Sequence, residues 1–339
     1  MQLSDFDFPF DPDLVALQPV IPRDRARLLL LNRHSSQLGH RHVSDLSELL
    51  EPGDLLVVND TKVLAARVSG TKKPTRTPVE VLFVKDCGHD VWDIMVKGHF
   101  RVGQVIEFDA QSRATILKRD ATGTQVKIDS AVPVMQLLRE QGEMPLPPYI
   151  KRAATPEDHL WYQTLFAKKE GAIAAPTAGL HFTPELIECL DEREIKIATM
   201  TLHVGPGTFK PVSTERVEDH QMGGEMFEIS EETASAIART KQAGQRVVAV
   251  GTTVVRALET AAREKGQLVP MSGESRLFIT PGFQFKVVDA LMTNFHLPRT
   301  TLLMLVSAFA GVELVRKAYE EAVRERYRFY SYGDAMLIR

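Results

Sequence analysis

Between residues 68 and 132 the chain changes texture in a way that few folds accommodate. Short runs rich in β-branched and aromatic residues recur at 79–84, 91–96, 105–108, 114–117 and 124–128, separated by Gly, Asp and Lys. Strands this short, at this spacing, predict an antiparallel sheet closed into a small barrel. A helix is expected over 134–141, with Gly142 at its stop. Met144-Pro145-Leu146-Pro147-Pro148-Tyr149 follows, and its prolines favour extended backbone that carries the chain out of the barrel.

On either side of this stretch the pattern is different. Leu55-Leu56-Val57-Val58 leaves a Pro52-Gly53 turn and runs into Asn59-Asp60-Thr61, as a buried strand with polar groups at its carboxyl end would. Later, Thr183 precedes Pro184-Glu185 at a helix start, a strand is expected over 195–204, and Ser230-Glu231-Glu232 opens a helix that ends near 244. Val247-Val248-Ala249-Val250 then enters Gly251-Thr252-Thr253, with a helix over 254–265. Such alternation makes an α/β domain whose ligands sit at the carboxyl ends of its strands. The expected architecture is a discontinuous α/β domain, residues 1–67 and 150–339, with an inserted antiparallel β-barrel domain at 68–149. A length of 339 residues fits two packed units.

Bulk chemistry narrows the partners. With 41 basic and 44 acidic side chains the net charge is −3, so nucleic acid has to meet a local basic patch. Cys87 and Cys189 lack CxxC spacing, which argues against a disulfide framework or a cysteine metal site and fits a reducing cytoplasm. The acidic start MQLSDFDFPFDPDL has no basic-then-apolar leader, and the longest apolar run, 302–312, falls short of the ~20 residues that cross a bilayer.

Polar residues set in apolar sequence mark the chemistry. The stretch 278–311 holds Gly282, Asp289, Asn294, His296 and Pro298 in sequence that otherwise reads as core. Two further segments place a histidine beside turn residues: APTAGLHF at 175–182 and TLHVGPGTF at 201–209. Imidazoles held by scaffold loops suit proton transfer. A metal site built from His181, His203, His220 and His296 finds no HxH, HExxH or CxxC anchor. Gly251-Thr252-Thr253 at a helix start can offer backbone N–H groups and hydroxyls to an anion, with Arg256 one turn on either clamping a carboxylate or pairing with Glu259. The segment Tyr330-Ser331-Tyr332-Gly333-Asp334-Ala335-Met336 follows an amphipathic helix expected over 312–329 and can fold back onto the site.

Together APTAGLHF, TLHVGPGTF, VGTT (250–253), VVDALMTNFHLP (287–298), TLLMLVSAFAG (301–311) and YGDAM (332–336) resemble the S-adenosylmethionine:tRNA ribosyltransferase-isomerases of queuosine biosynthesis. Asn59-Asp60-Thr61 and GEMPLPPYI (142–150) match as well, so the likeness spans nearly the whole chain in order. It implies an enzyme that uses S-adenosylmethionine as co-substrate, with no permanently bound cofactor and no metal. The acceptor it implies is 7-aminomethyl-7-deazaguanine at the wobble position of a tRNA anticodon loop, with epoxyqueuosine, adenine and methionine as products.

That chemistry asks for a base at the carbon beside the sulfonium, for which His181 or His203 are expected, and for a donor at the departing adenine, for which Asp60, His296 or Thr208 are expected. Contacts to the co-substrate are expected from Thr177, Gly205, Gly207, Thr208, Glu225, Thr252, Thr253, Arg256, Asp289 and Asn294. Of these, Thr252, Thr253 and Arg256 suit the carboxylate, and Glu225 or Asp289 the ammonium. Phosphate contacts are expected from Lys72, Lys73, Arg76, Lys97 and Arg101 of the insert, and Phe209, Phe283 or Phe295 can stack on the base. The protein is expected to be a cytoplasmic monomer without membrane contact. Gly223, Thr280 and Arg76-Thr77-Pro78 depart from the family pattern, all on the side of tRNA recognition. Two other classes of function compete: a non-catalytic RNA-binding relative and a histidine-site metal hydrolase.

Overall fold

The strand Leu55–Asn59 is buried at every position and lies in the middle of the molecule. The structure, a computed structural model, describes residues 1–120, 123–205, 207, 212 and 214–339. Lys196–Leu202 and Val247–Val250 flank the central strand in parallel, and Ala290–Asn294 continues the parallel set. Direction then reverses: Ala335–Ile338 pairs antiparallel with Ala290–Asn294, followed by Arg27–Leu31 and the edge strand Leu38–His42. On the far side Glu225–Ile229 and Met271–Ser275 complete a sheet of nine strands.

Alternate residues of these strands enter two separate cores. Leu55, Val57, Val247, Ala249 and Leu291 join the helices Thr252–Lys265, Thr301–Ala310 and Val312–Arg324 on one face. Leu56, Val58, Val248, Val250 and Met292 meet Leu186 and Leu190 of the helix Pro184–Glu192 on the other. Burial on both faces is why the strands read as unbroken apolar runs.

The β-rich stretch closes into a barrel of six antiparallel strands, one more than the five runs predicted. The additional strand is Arg67–Lys72, whose polar, glycine-containing sequence RVSGTK hides it. The helix Val134–Gln141 forms where expected, and its Val134 and Leu138 pack into the barrel core.

Two other boundaries differ from expectation. The C-terminal helix ends at Arg324 and not at 329, because Tyr327 and Phe329 turn into the main core, where both are fully buried. The helix after Val247–Val250 starts at Thr252, directly off the strand. Gly251 makes that junction at φ +99°, a conformation that strains any other residue. Among the described residues no helix is long and apolar enough to cross a membrane.

Candidate functional site

Four parallel strands end at one edge of the sheet, at Asn59, Leu202, Val250 and Asn294. The reversal of direction adds a fifth contribution there. Ala335 pairs with Asn294, so the segment just before it, Tyr330 to Asp334, lies at the same edge. Asp334 pins that segment: its buried carboxylate accepts from Arg27 N and Arg328 N at 2.9 and 2.8 Å. Gly333 lets the backbone fold tightly, since a Cβ there would fall 2.4 Å from the Arg328 carbonyl oxygen.

The result is a cleft open to solvent at its mouth. Its walls include Thr177, Gly251, Thr252, Thr253, Asn294, His296, Tyr149 and Tyr330. None of the described residues lining it is Asp, Glu, Lys or Arg. Tyr149 and Tyr330 lie with ring centroids 4.6 Å apart, and the Tyr149 hydroxyl is 2.7 Å from Ser331 Oγ.

Three buried polar atoms of this wall have no hydrogen-bond partner among the described residues: Thr253 Oγ1, Asn294 Oδ1 and the Tyr330 hydroxyl. Leaving such a group unmade costs ~1–3 kcal/mol. Three of them around one cleft, beside the N-terminus of a 14-residue helix, make a wall shaped for a polar ligand.

The histidines divide by position. His296 lines the cleft, with Nε2 2.8 Å from Thr293 Oγ1 and its backbone N–H donating to the Tyr319 hydroxyl at 2.9 Å. Burial pushes its pKa down to about 3, so the ring is neutral. His181 stands one layer behind, its Nε2 3.2 Å from Asn294 Nδ2. Burial lowers its pKa to about 4, helped by the Arg23 charge and opposed by a hydrogen bond to the Arg23 backbone. His203 is outside the lining and bonds through Nδ1 to Thr61 Oγ1 at 2.8 Å. Burial lowers its pKa too, and the negative charge of Asp60 opposes the shift. His220 packs its ring on Phe278, and among the described residues no group of three or more His, Cys, Asp or Glu is placed to hold a metal.

Residues 3–338 match the family described as queuosine biosynthesis protein. The chain belongs to that family. Relatives over the full length of both chains include S-adenosylmethionine:tRNA ribosyltransferase-isomerases of Pelobacter propionicus at 51% identity and Aquifex aeolicus at 49%. A crystal structure of S-adenosylmethionine tRNA ribosyltransferase from Thermotoga maritima superposes with TM-score 0.57 at 37% identity, covering 99% of this chain and 100% of that one.

Against the cleft, the residues singled out in the sequence sort into three groups. Thr177, Thr252, Thr253, Asn294 and His296 line it. Close by but engaged elsewhere are Glu225 and Arg256, buried and ion-paired to each other. Gly205 N donates to Glu225 Oε1 at 3.0 Å, and Arg256 also donates to the carbonyls of Leu277 and Ser275. Glu259 does not pair with Arg256: it accepts from the backbone N–H groups of Lys286, Val287 and Val288. Asp60 accepts from Thr201 Oγ1 at 2.6 Å, outside the lining.

Asp289 stands apart. It precedes the strand that Asn294 ends, so it sits at the opposite edge of the sheet, about 17 Å away at the rise of an extended strand. There its carboxylate is held by Lys241 Nζ at 2.6 Å and by Val247 N at 2.8 Å. Gly207 is exposed, and among the described residues nothing lies within 4 Å of a Cβ placed on it; Thr208 and Phe209 lie outside the described residues. Phe295 lines the cleft but is fully buried in an aromatic cluster with Tyr319, Tyr327 and Phe329, while Phe283 packs on Phe285.

Lining residues not singled out in the sequence are Tyr149, Thr293 and Thr300, whereas Tyr330 and Ser331 belong to the chain-end segment expected to fold back onto the site, as they do. The signal for Tyr149 was its place after three prolines, and for Tyr330 and Ser331 the break in helical periodicity near the chain end.

On the barrel the two basic segments converge. Lys72 Nζ donates to the His99 carbonyl oxygen at 2.5 Å and lies over the Phe100 ring, so the turn carrying Lys73 and Arg76 adjoins the loop carrying Lys97 and Arg101. Arg119, missed in the sequence, joins them by donating to the Gly98 carbonyl at 2.7 Å. Lys73 is paired with Glu107, which offsets part of the charge.

Proposed function

We propose that the chain transfers and isomerises the ribosyl moiety of S-adenosylmethionine onto 7-aminomethyl-7-deazaguanine at the wobble position of a tRNA anticodon, giving epoxyqueuosine, adenine and methionine. The observation that carries this reading is the cleft at the carboxyl edge, whose unfilled Thr253, Asn294 and Tyr330 atoms call for a ligand rich in hydrogen-bonding groups. A nucleoside bearing an amino acid is such a ligand. Its carboxylate suits the N-terminus of the helix Thr252–Lys265, where N–H groups, the helix dipole and the Thr253 hydroxyl converge without a charged side chain.

The absence of acidic groups from the described lining suits the first chemical step. A sulfonium acidifies the carbon next to it through its positive charge, and a carboxylate counter-ion would weaken that effect. The faces of Tyr149 and Tyr330 can accommodate the cation without neutralising it. His296, neutral and in the wall, is the imidazole placed to accept the proton. His203 with Asp60, half-buried beside the cleft, is the alternative acceptor. The leaving adenine then needs a donor, and the Tyr330 hydroxyl is the unfilled one at hand.

The decisive test is incubation with S-adenosylmethionine and tRNA carrying the aminomethyl base, followed by nucleoside mass analysis and assay of free adenine. Equimolar adenine and a ribosyl adduct on the tRNA base support the proposal; methyl transfer or no reaction overturns it.

For the tRNA, the barrel patch around Lys72, Lys73, Arg76, Lys97, Arg101 and Arg119 is the expected phosphate contact. Reversing the charges of Lys72, Lys73 and Arg76 should flatten the plot of log affinity against log salt by about 1–3 units, as each lost phosphate contact removes ~0.7–0.9. An unchanged slope moves the footprint off the barrel.

A further inference from the structure

Asn294 sits at the end of its strand with its side-chain amide enclosed. The Nδ2 atom has acceptors on every side: the Tyr330 carbonyl at 3.0 Å, His181 Nε2 at 3.2 Å and the Asp334 carbonyl at 3.5 Å. Flipping the amide would set Oδ1 against two carbonyl oxygens, so the orientation is fixed. Oδ1 is then the atom left over. It is buried in the wall of the cleft with no partner among the described residues.

The His181 ring is fixed in turn. Asn294 Nδ2 can only donate, so Nε2 has to be bare, and the ring proton faces the Arg23 backbone, whose hydrogen bond favours a protonated nitrogen as a carbonyl does. A ring committed to partners in this way, and outside the lining of the cleft, has no lone pair to offer a substrate carbon.

We propose that His181 is a positioning residue that locks the Asn294 amide, and that Asn294 Oδ1 is the acceptor by which the cleft selects an N–H or O–H donor of the sulfonium nucleoside. A site with a buried acceptor held in one orientation rejects a ligand lacking the donor, because the acceptor then stays unmade. The proposal rests on S-adenosylmethionine as the ligand. Two parts of that molecule carry the required chemistry: the exocyclic amine of the adenine and the ribose hydroxyls.

The experiment measures the Kd of S-adenosylmethionine, of its analogue without the exocyclic amine and of its 2′- and 3′-deoxy analogues, by calorimetry on the intact protein. Wild type should bind one of the donor-deleted analogues about 10- to 100-fold more weakly than the parent. Which analogue suffers identifies the donor. Asn294→Ala should bind that analogue and the parent equally.

His181→Leu should raise KM for S-adenosylmethionine about tenfold with kcat within about threefold, and His181→Gln, which returns an acceptor to the Nε2 position, should recover most of the loss. Equal affinity of wild type for all analogues overturns the role of Asn294. A collapse of kcat in both His181 variants at unchanged KM overturns positioning and makes His181 a proton-transfer group. Should His181→Leu fail to fold, the Gln variant and the Asn294→Ala binding series still decide. Wild type that binds S-adenosylmethionine and discriminates the analogues, yet forms no ribosyl adduct, defeats the proposed reaction and leaves this inference standing.

Discussion

Replacing His296 with alanine should lower kcat by a factor of about 10²–10⁴ while the Kd for S-adenosylmethionine changes by no more than about threefold. The reason is an imidazole held in the wall of the cleft by contacts outside it. Thr293 Oγ1 lies 2.8 Å from His296 Nε2 and 3.4 Å from the carbonyl oxygen of Asn294. In the arrangement that leaves a base, its hydroxyl donates to that carbonyl and the oxygen accepts the Nε2 proton. Nδ1 then keeps its lone pair, and no described residue occupies it. The hydrogen bond from the His296 backbone to Tyr319 holds the residue in place, so the ring does not have to be ordered during the reaction.

The pH dependence follows in sign. Burial lowers the His296 pKa from 6.5 to about 3, so the ring that must be unprotonated is already so at any pH where the protein works. The acid limb of kcat/KM due to this group belongs near pH 3, and the profile should be flat from about pH 6 to 8. A limb centred at 6.5 or above would mean that the essential base has an ordinary or raised pKa and would exclude His296. His203→Ala is the control. Half-buried, bonded to Thr61 and outside the lining, it should cost far less than His296→Ala. The reverse ranking would hand the proton transfer to His203 and Asp60.

Much of this site was legible because local rules and tertiary structure agree. Gly251-Thr252-Thr253 follows an apolar run and opens a helix, and strand, turn and helix N-terminus are all local features. Asn294 and His296 stood out as polar residues in apolar sequence, which burial makes costly unless they are used. What the sequence could only suggest depends on long-range pairing. Tyr330 and Ser331 reach the cleft only because Ala335–Ile338 inserts beside Ala290–Asn294, and the strand Arg27–Leu31 beyond it is an RLLLL run that periodicity cannot assign to strand or helix. Asp289 illustrates the converse. Five residues from Asn294 in a motif that reads as one unit, it is a strand's length away in space, because an extended chain puts neighbours in sequence at opposite edges of the sheet.

Breaking the buried pair of Glu225 and Arg256 tests whether two residues expected to hold the ligand instead hold the fold. Both side chains are almost wholly excluded from solvent, and the pair ties the strand Glu225–Ile229 to the helix Thr252–Lys265. Arg256→Met takes the guanidinium away from a buried carboxylate and should cost about 3–5 kcal/mol of stability, read as a fall in denaturation midpoint. Arg256→Met combined with Glu225→Leu removes both charges and should recover most of that loss. The remainder, ~1–2 kcal/mol, reflects Gly205 N losing the Glu225 oxygen it donates to and the carbonyls of Leu277 and Ser275 losing Arg256 as donor. In the folded double variant, the affinity for S-adenosylmethionine separates the two roles. Affinity within about fivefold of wild type means that the pair is scaffold and that the amino acid end of the ligand is met by the helix N-terminus at Thr252 and Thr253. A loss of 100-fold or more in a variant as stable as wild type would mean that the ligand competes for this ion pair, with its carboxylate on Arg256 and its ammonium on Glu225.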